Sequence, residues 1–386
     1  MSGEDTPKKR DRRIVSLIIL LTVIAIIIFV VISIVSNDSS GVLGFTGCRS
    51  RQASAISVDE FHFDIGRERM FTYIGNSIAA AGTLGVMVID NDGLEIFRDS
   101  FRMSQPAIRS SGSYYIAFDI GGSAVRVYND TQLTTLVETD GSVVSASINK
   151  NGWFCVVTQD SGISRGIVTV YNSSGSRVYE VRKFTGFVLS AHLSHDNKKL
   201  AILNFTDNGS RISLYHNIDT EEEPFELFDR YGGLIIDIMY LPNGDVLAIT
   251  TKSVFLIDND GEGIMLYTFA DKRLGGYAHD GSFIALHLYD YGVGHQGRLV
   301  TLNTDGEILG EISISREIVS MSAVDRSLVV LRNDGALFYN EELKEFPISA
   351  DNISVAGANR ILAISEYLAI ATSDNSAVVV RRGEEH

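Results

Sequence analysis

The feature that most restricts how this chain can fold is a recurring unit in which a polar turn precedes an apolar strand. It is clearest in RSSGSYYIAF, INKNGWFCVV, LSHDNKKLAI, LPNGDVLAIT and AHDGSFIALH. The turn positions, spaced by 40, 45, 47 and 37 residues, are Gly112, Gly152, Asn197, Gly244 and Gly281. Gly or Asn suits these positions because a tight hairpin needs a positive φ angle, which a Cβ atom disfavours.

Three weaker copies, YIGNSIAAAG, AVDRSLVVLR and AISEYLAIAT, bring the number of units to eight. Each unit predicts four strands, as in VLSAHLS, KLAILNF, RISLYHN and PFELFDR of the fourth copy. A four-stranded unit that recurs every 40 to 45 residues or so is typical of a β-propeller blade, because one such sheet cannot bury both its faces alone. The sequence therefore predicts an all-β domain, an eight-bladed β-propeller over residues 59–386.

The two ends of this domain complement each other. The last unit has only three strands, ILAIS, LAIAT and AVVVRR, whereas an unassigned strand, EFHFDI, begins the domain. We expect residues 60–65 to supply the outer strand of the last blade and to close the ring, since closure leaves few strand edges exposed.

A charge-free apolar run, IVSLIILLTVIAIIIFVVISIV, occupies residues 14–35. At a rise of about 1.5 Å per residue this run covers about 33 Å, enough for the hydrocarbon core of a bilayer. The basic residues before it are Lys8, Lys9, Arg10, Arg12 and Arg13, whereas only Arg49 and Arg51 follow it closely. The positive-inside rule then predicts residues 1–13 in the cytoplasm, a single-pass transmembrane α-helix before the propeller, and the propeller on the extracytoplasmic side of the cell membrane.

Residues 36–58 are rich in Ser and Gly and are interpreted as a flexible tether. The apolar run lacks the spacing of small residues that drives close helix pairing, so oligomerisation is not indicated. The chain as a whole carries a formal net charge of −15. Such an acidic surface repels phosphate backbones, which excludes nucleic acid as an expected partner.

No motif for catalysis, metal binding or cofactor binding was found in the sequence. His192 and His195 form an H-x-x-H, but on a strand this spacing directs the two rings to opposite faces. Two DNDG segments, Asp90–Gly93 and Asp258–Gly261, are interpreted as structural turns, with calcium binding as the alternative. We therefore expect no catalytic residues, no metal and no cofactor.

Three loops between second and third strands are predicted to be long and to emerge on one face. They are TQDSGISRG with Asp160 and Arg165, NFTDNGS with Thr206 and Asn208, and YDYGVGHQG with Tyr289, Tyr291, His295 and Gln296. Binding residues collect on loops that a rigid scaffold positions, and aromatic side chains are favoured at interfaces. These eight residues are the predicted partner-binding site.

The basic KKRDRR segment, the long apolar anchor, the short tether and the atypical propeller together resemble a Gram-positive family of single-pass, membrane-anchored β-propeller proteins of unknown function. The repeats are also similar to WD40-like and quinoprotein-like propellers, through turns such as HDNKKLAI and LIDNDG. The Gly-His and Trp-Asp pairs of WD40 blades are missing, as are the tryptophan docking motifs and adjacent cysteine pair of quinoprotein dehydrogenases. The resemblance thus implies a fold and a location, and no cofactor.

The favoured hypothesis is a non-enzymatic interaction scaffold in the cell envelope that binds another envelope protein through its loop face. The alternative is a sensor or ligand-binding propeller that takes a small molecule or a glycan in its central channel. An enzyme of the quinoprotein kind ranks third.

Overall fold

The computed structural model describes residues 59–386 apart from gaps at 160–163, 221–223, 229–232, 260, 270, 291–295, 350–353, 374–375 and 384–386. The predicted cytoplasmic segment, transmembrane helix and tether, residues 1–13, 14–35 and 36–58, lie outside the described residues. Within the part of the chain that is described, we find no helix with the length and apolarity needed to cross a bilayer.

The described residues form 32 β-strands in eight antiparallel sheets of four strands each. The first sixteen strands are β1 (Glu60–His62), β2 (Met70–Ile74), β3 (Ser77–Gly82), β4 (Gly85–Ile89), β5 (Glu95–Ser100), β6 (Pro106–Ser111), β7 (Tyr114–Asp119), β8 (Ala124–Asn129), β9 (Gln132–Glu138), β10 (Ser142–Ile148), β11 (Phe154–Gln159), β12 (Gly166–Tyr171), β13 (Arg177–Lys183), β14 (Phe187–Leu193), β15 (Leu200–Thr206) and β16 (Gly209–Tyr215). The remaining strands are β17 (Phe225–Phe228), β18 (Ile235–Tyr240), β19 (Val246–Thr250), β20 (Ser253–Ile257), β21 (Gly263–Thr268), β22 (Lys272–His279), β23 (Phe283–Asp290), β24 (Gly297–Asn303), β25 (Ile308–Ile314), β26 (Ile318–Val324), β27 (Ser327–Arg332), β28 (Gly335–Asn340), β29 (Glu345–Phe346), β30 (Arg360–Ser365), β31 (Leu368–Thr372) and β32 (Ser376–Arg381).

The sheets follow the order of the chain, and each is one blade. Strands β2–β5 form blade 1, and each next group of four forms the next blade, up to β26–β29 in blade 7. Blade 8 consists of β30, β31 and β32, with β1 hydrogen-bonded to β32 as its outermost strand. Across the described residues the prediction of an all-β, eight-bladed β-propeller is confirmed.

Strand β1 joins the start of the domain to its end. Glu60 is paired with Val378 and His62 with Ser376. Phe61 and Phe63 are both buried, in an apolar cluster that also contains residues of blades 1 and 8. The first strand therefore belongs to the last blade and also packs against the first.

The hydrophobic core is divided among the blade interfaces. The described residues form eight apolar clusters, and each cluster is shared by two neighbouring blades. In the cluster between blades 1 and 2, Tyr115 and Tyr128 stack with ring centroids 4.7 Å apart. Because every blade is covered on both faces, its middle strands are almost entirely apolar.

Small polar side chains join the innermost strands of neighbouring blades. Ser145 Oγ in blade 3 donates to the carbonyl oxygen of Leu189 in blade 4 at 2.8 Å, and Ser147 Oγ donates to that of Ala191 at 2.6 Å. A serine also joins blades 7 and 8, where Ser320 Oγ accepts a hydrogen bond from the backbone N–H of Ile361. These bonds satisfy backbone groups at the crowded axis of the ring.

The predicted hairpin turns have the expected backbone. Gly112, Gly152, Asn197, Gly244 and Gly281 all have positive φ, between 63° and 92°. In the first DNDG turn, the Asp90 carboxylate accepts hydrogen bonds from the backbone N–H groups of Asp92 and Leu94, each at 2.9 Å. This carboxylate therefore holds its own turn, in agreement with the structural interpretation.

Candidate functional site

Two kinds of loop share one end of the propeller. The connector that leads into the first strand of a blade lies at the same end as the loop between its second and third strands, because neighbouring strands are antiparallel. We call this end the connector face; it includes connectors 101–105 and 184–186 and loops 83–84, 120–123 and 207–208. The opposite end carries the loops between first and second strands and between third and fourth strands.

Three of the predicted partner-binding residues, Arg165, Thr206 and Asn208, lie at the connector face. The backbone N–H of Arg165 donates to the carbonyl oxygen of Lys183 at 2.8 Å, which fixes the end of its loop beside the 184–186 connector. Thr206 pairs with Gly209, and Asn208 lies in the turn between them. The prediction of a long loop here is wrong, because β15 and β16 are joined by a two-residue turn.

The third predicted loop is only partly described. Tyr291 and His295 of this loop, like Asp160 of the first predicted loop, lie outside the described residues. Gln296 is exposed, whereas Tyr289 lies within β23 and only 9% of its surface is accessible. Its ring centroid is 4.2 Å from that of His287, and the guanidinium carbon of Arg273 lies 5.1 Å from the same centroid. Tyr289 thus packs within blade 6 and belongs to strand β23, whereas the sequence predicts it to lie in the loop.

Sequence reasoning missed an aromatic pair beside Arg165 and Thr206. Phe184 and Phe187 lie in the connector from blade 3 to blade 4 and at the start of β14, and they are 61% and 54% exposed. Between them Gly186 has a φ of +74°, and a Cβ there would lie 1.9 Å from the carbonyl oxygen of Phe205. Only glycine lets the connector pass so close to β15. We call residues 184–187 the aromatic connector.

Exposed large apolar side chains occur at both ends of the propeller. Among the described residues, those in the connectors and loops of the connector face are Leu84, Ile120, Phe184, Leu234 and Ile348, and Phe187 and Ile236 lie at the start of first strands beside them. Those in the loops of the opposite end are Leu94 and Tyr367. The others lie on fourth strands, most of them within two residues of the opposite end. The connector face is therefore distinguished by its aromatic connector, where two exposed phenylalanines lie within four residues of each other.

A polar cavity of about 830 Å³ opens on the connector face where blades 8, 1 and 2 meet. Its lining comes from connector 66–69, connector 104–105, the start of β30 and the loop that follows β31. Three of the lining side chains are cationic, Arg67, Arg69 and Arg360, and Glu68 is the one lining carboxylate. The cavity has the size of an ordinary ligand site.

Titratable side chains from several blades meet in the central channel. The Tyr277 hydroxyl donates to Asp237 Oδ2 at 2.7 Å. Burial lowers the pKa of both His192 and His279, while the Asp237 carboxylate opposes this effect in each. Arg109 on β6 acts electrostatically on His192 and Tyr277, which places it close to strands of blades 4 and 6.

Among the described residues, no group of three or more His, Cys, Asp or Glu side chains is placed to hold a metal ion. Burial raises the pKa of the fully buried Cys155 thiol, so that this sulfur stays protonated at neutral pH. The aromatic connector and the arginine-lined cavity, in contrast, lie open on one face.

Fold and surface together define the molecule as an eight-bladed β-propeller whose connector face carries an exposed aromatic pair and an arginine-lined cavity. Residues 54–345 match the family of unknown function DUF5711, and the chain belongs to this family. No curated protein matches the sequence.

Several solved structures share the fold. BamB from Moraxella catarrhalis superimposes with a TM-score of 0.55 at 15% sequence identity, covering 85% of this chain and 98% of BamB. Sqt1 from Saccharomyces cerevisiae gives 0.57 at 11% identity, covering 84% and 98%. The C-terminal WD40 domain of Sif2 gives 0.58 at 14% identity, covering 85% and 100%. At such identities the likeness concerns the propeller fold alone.

Proposed function

We propose that this protein is a membrane-anchored interaction scaffold, not an enzyme, that binds another protein of the cell envelope through its connector face. Residues 14–35 serve as the anchor, since they are long and apolar enough to span a bilayer. The basic residues before them keep the N-terminus in the cytoplasm, so the propeller is displayed outside the membrane.

The observation that carries the proposal is the exposed aromatic pair Phe184 and Phe187 on the connector face. Protein interfaces are centred on buried apolar and aromatic anchors with a polar rim. Phe184 and Phe187 supply such anchors, and Arg165, Thr206 and Asn208 lie next to them as rim residues. Gly186, between the two phenylalanines, lets the connector pass close to the backbone of Phe205.

A second function, binding of a small molecule or glycan in the channel, is favoured by one observation. The channel brings together the cation Arg109, the carboxylate Asp237 and the polar tip of Tyr277. Convergent polar groups of both charges on rigid strands can orient a polar ligand. The connector face nevertheless carries the exposed aromatic residues Phe184 and Phe187, which suit a protein partner better than a small ligand.

The test replaces the aromatic anchors with small polar residues. The variant Phe184→Ser/Phe187→Ser is compared with Leu133→Ser/Leu136→Ser, because Leu133 and Leu136 are also exposed but lie on β9 at the outer edge of blade 2. Tagged full-length chains are crosslinked in intact cells and recovered under denaturing conditions. We expect one crosslinked partner with the wild type and with the edge variant, and none with the connector variant.

Recovery of the same partner with the connector variant, or equal loss with both variants, would contradict the proposal. Thermal melts of the two variants serve as the control for folding, and both midpoints are expected within a few degrees of the wild type because all four side chains are exposed.

A further inference from the structure

The connector between blades 8 and 1 is fixed on the neighbouring loop of blade 1. Arg67 donates its backbone N–H to Thr83 Oγ1 at 2.9 Å, and the Thr83 N–H donates to the Arg67 carbonyl at 3.0 Å. The Leu84 N–H donates to the carbonyl oxygen of Ile65 at 2.9 Å. These three hydrogen bonds fix the backbone of residues 65–67 against loop 83–84.

This connector also holds an unusual backbone conformation. Gly66 has a φ of +88°, and a Cβ there would lie 2.2 Å from Thr83 Oγ1. Glu68, which is not a glycine, has a φ of +54°. A left-handed conformation is unfavourable for such a residue and persists where the surrounding contacts impose it. The wall of the cavity is thus specified by the fold and is not a loose loop.

Within the described part of the chain, two of the cavity cations, Arg67 and Arg360, lack the carboxylate partners that Lys272 and Arg316 of the connector face have. In blade 6, Lys272 pairs with Asp290 at 2.7 Å, and between blades 6 and 7 Arg316 pairs with Asp334. Arg67 and Arg360 are exposed, and neither has a carboxylate within 4 Å among the described residues. The Arg360 guanidinium instead points at the sulfur of Met70, another lining residue, at 2.8 Å.

Unpaired arginines are notable in a chain with 48 acidic and 33 basic residues, because carboxylates are abundant elsewhere. Guanidinium groups bind carboxylates in a two-pronged geometry, which gives both affinity and orientation. Arg67 and Arg360 are therefore available in this cavity to bind anionic groups of a partner.

We propose that this cavity binds an acidic peptide segment of the protein that docks on the connector face, so the inference rests on the proposed function. Gln105 and Asn359 line the cavity beside the arginines, and their carboxamides both donate and accept hydrogen bonds, as peptide groups do. Met70 and Pro106 add apolar surface for the carbon atoms of the segment. An inorganic polyanion would use the cations but neither of these features.

The test measures binding of labelled peptides to the purified full-length chain in detergent. Fluorescence anisotropy compares a peptide of six glutamates with a peptide of six glutamines at low ionic strength, since salt screens exposed charges. The variant is Arg67→Gln/Arg360→Gln. The matched control is Arg316→Gln, which also removes an exposed arginine from the connector face, but one that is already paired.

We expect the glutamate peptide to bind at least tenfold more tightly than the glutamine peptide. The double variant is expected to weaken its binding by tenfold or more, and the control to change it by less than twofold. Equal binding of the two peptides, or equal effects of the two variants, would overturn the proposal. So would displacement of the glutamate peptide by pyrophosphate at or below the peptide's own Kd, since the cavity would then be a phosphate site.

This measurement is separate from the crosslinking of the aromatic connector. If Phe184→Ser/Phe187→Ser loses the partner but the glutamate peptide does not bind, the scaffold proposal stands and the peptide proposal is wrong. If the connector variant keeps its partner, the proposed function is wrong whatever the peptide measurement gives.

Discussion

The Tyr277 hydroxyl of blade 6 donates a 2.7 Å hydrogen bond to the Asp237 carboxylate of blade 5, across the boundary between two innermost strands. Burial and the nearby Asp237 carboxylate raise the pKa of Tyr277, so its proton stays available for this bond. The bond links two neighbouring blades where they meet at the channel.

Removing this hydroxyl should weaken the channel wall. We expect Tyr277→Phe to lower the free energy of unfolding by about 1–2 kcal/mol, because the bond involves a charged acceptor that is partly buried. Tyr73 on β2 is the control, since its hydroxyl has no hydrogen bond among the described contacts; Tyr73→Phe should change stability by less than about 0.5 kcal/mol. Chemical denaturation of both variants checks the difference. Equal values for the two variants would mean that the bond contributes nothing to folding.

Ring closure by β1 can be tested on two residues of the same short stretch. Phe63 is buried between blades 8 and 1, whereas His62 is exposed. We expect Phe63→Ala to cost about 3–5 kcal/mol, the usual effect of removing a buried phenylalanine. His62→Ala should stay within about 0.5 kcal/mol of the wild type. A thermal melt in which Phe63→Ala leaves the midpoint unchanged would contradict closure of the ring by this segment.

His287 should make the stability of the propeller depend on pH. Burial lowers its pKa to about 4, and its Nε2 has no hydrogen-bond partner among the described residues. Above the pKa of the unfolded chain, about 6.5, the residue is neutral in both states. As the pH falls from there towards 4, the unfolded chain binds a proton that the folded state does not, so stability falls.

The pH effect is isolated by comparing the wild type with His287→Leu. Between pH 7.5 and pH 5 the wild type should lose about 2 kcal/mol more unfolding free energy than this variant, which has no proton to bind at the site. Replacing the exposed His216 by Gln is the control and should leave the wild-type difference in place. Denaturant titrations at the two pH values provide the measurement, and identical pH dependence in wild type and His287→Leu would refute this role.

Gly186 determines how the aromatic connector is displayed. Gly186→Ala should cost more than about 2 kcal/mol, because the positive φ is unfavourable for alanine and its Cβ would collide with the Phe205 carbonyl. Gly357 has a φ of +83° with no atom within 4 Å of a Cβ, so Gly357→Ala should cost only about 1 kcal/mol. The two unfolding free energies, measured side by side, separate strain from collision. A cost for Gly186→Ala no larger than that for Gly357→Ala would contradict the close passage of the connector.

The strand pattern could be predicted from the sequence because the turns depend on the backbone preferences of individual residues. Gly112 and Asn197 mark hairpins through their own backbone preference, and the structure has positive φ at both. The same chemistry was overlooked at Asn208-Gly209, a dipeptide typical of tight hairpins, where a long loop was predicted instead.

The residues of the candidate site could not be predicted as well, because the exposure of a side chain depends on tertiary contacts. Tyr289 lies in a strand that is apolar on both faces, so alternation gave no sign of its burial. Phe184 and Phe187 look like ordinary strand residues in the sequence, yet they are 61% and 54% exposed in the structure. The arginine-lined cavity joins residues from opposite ends of the domain, which meet only when β1 closes the ring.

The most direct test of the connector face as the docking surface is site-specific photocrosslinking in intact cells. A benzoylphenylalanine is placed at Phe184 in one strain and at Tyr367 in another; Tyr367 is 50% exposed and lies in a loop of the opposite end. We expect a partner adduct of one defined mass from position 184 and none from position 367. An adduct from position 367 alone, or of equal yield from both positions, would contradict the proposed docking surface.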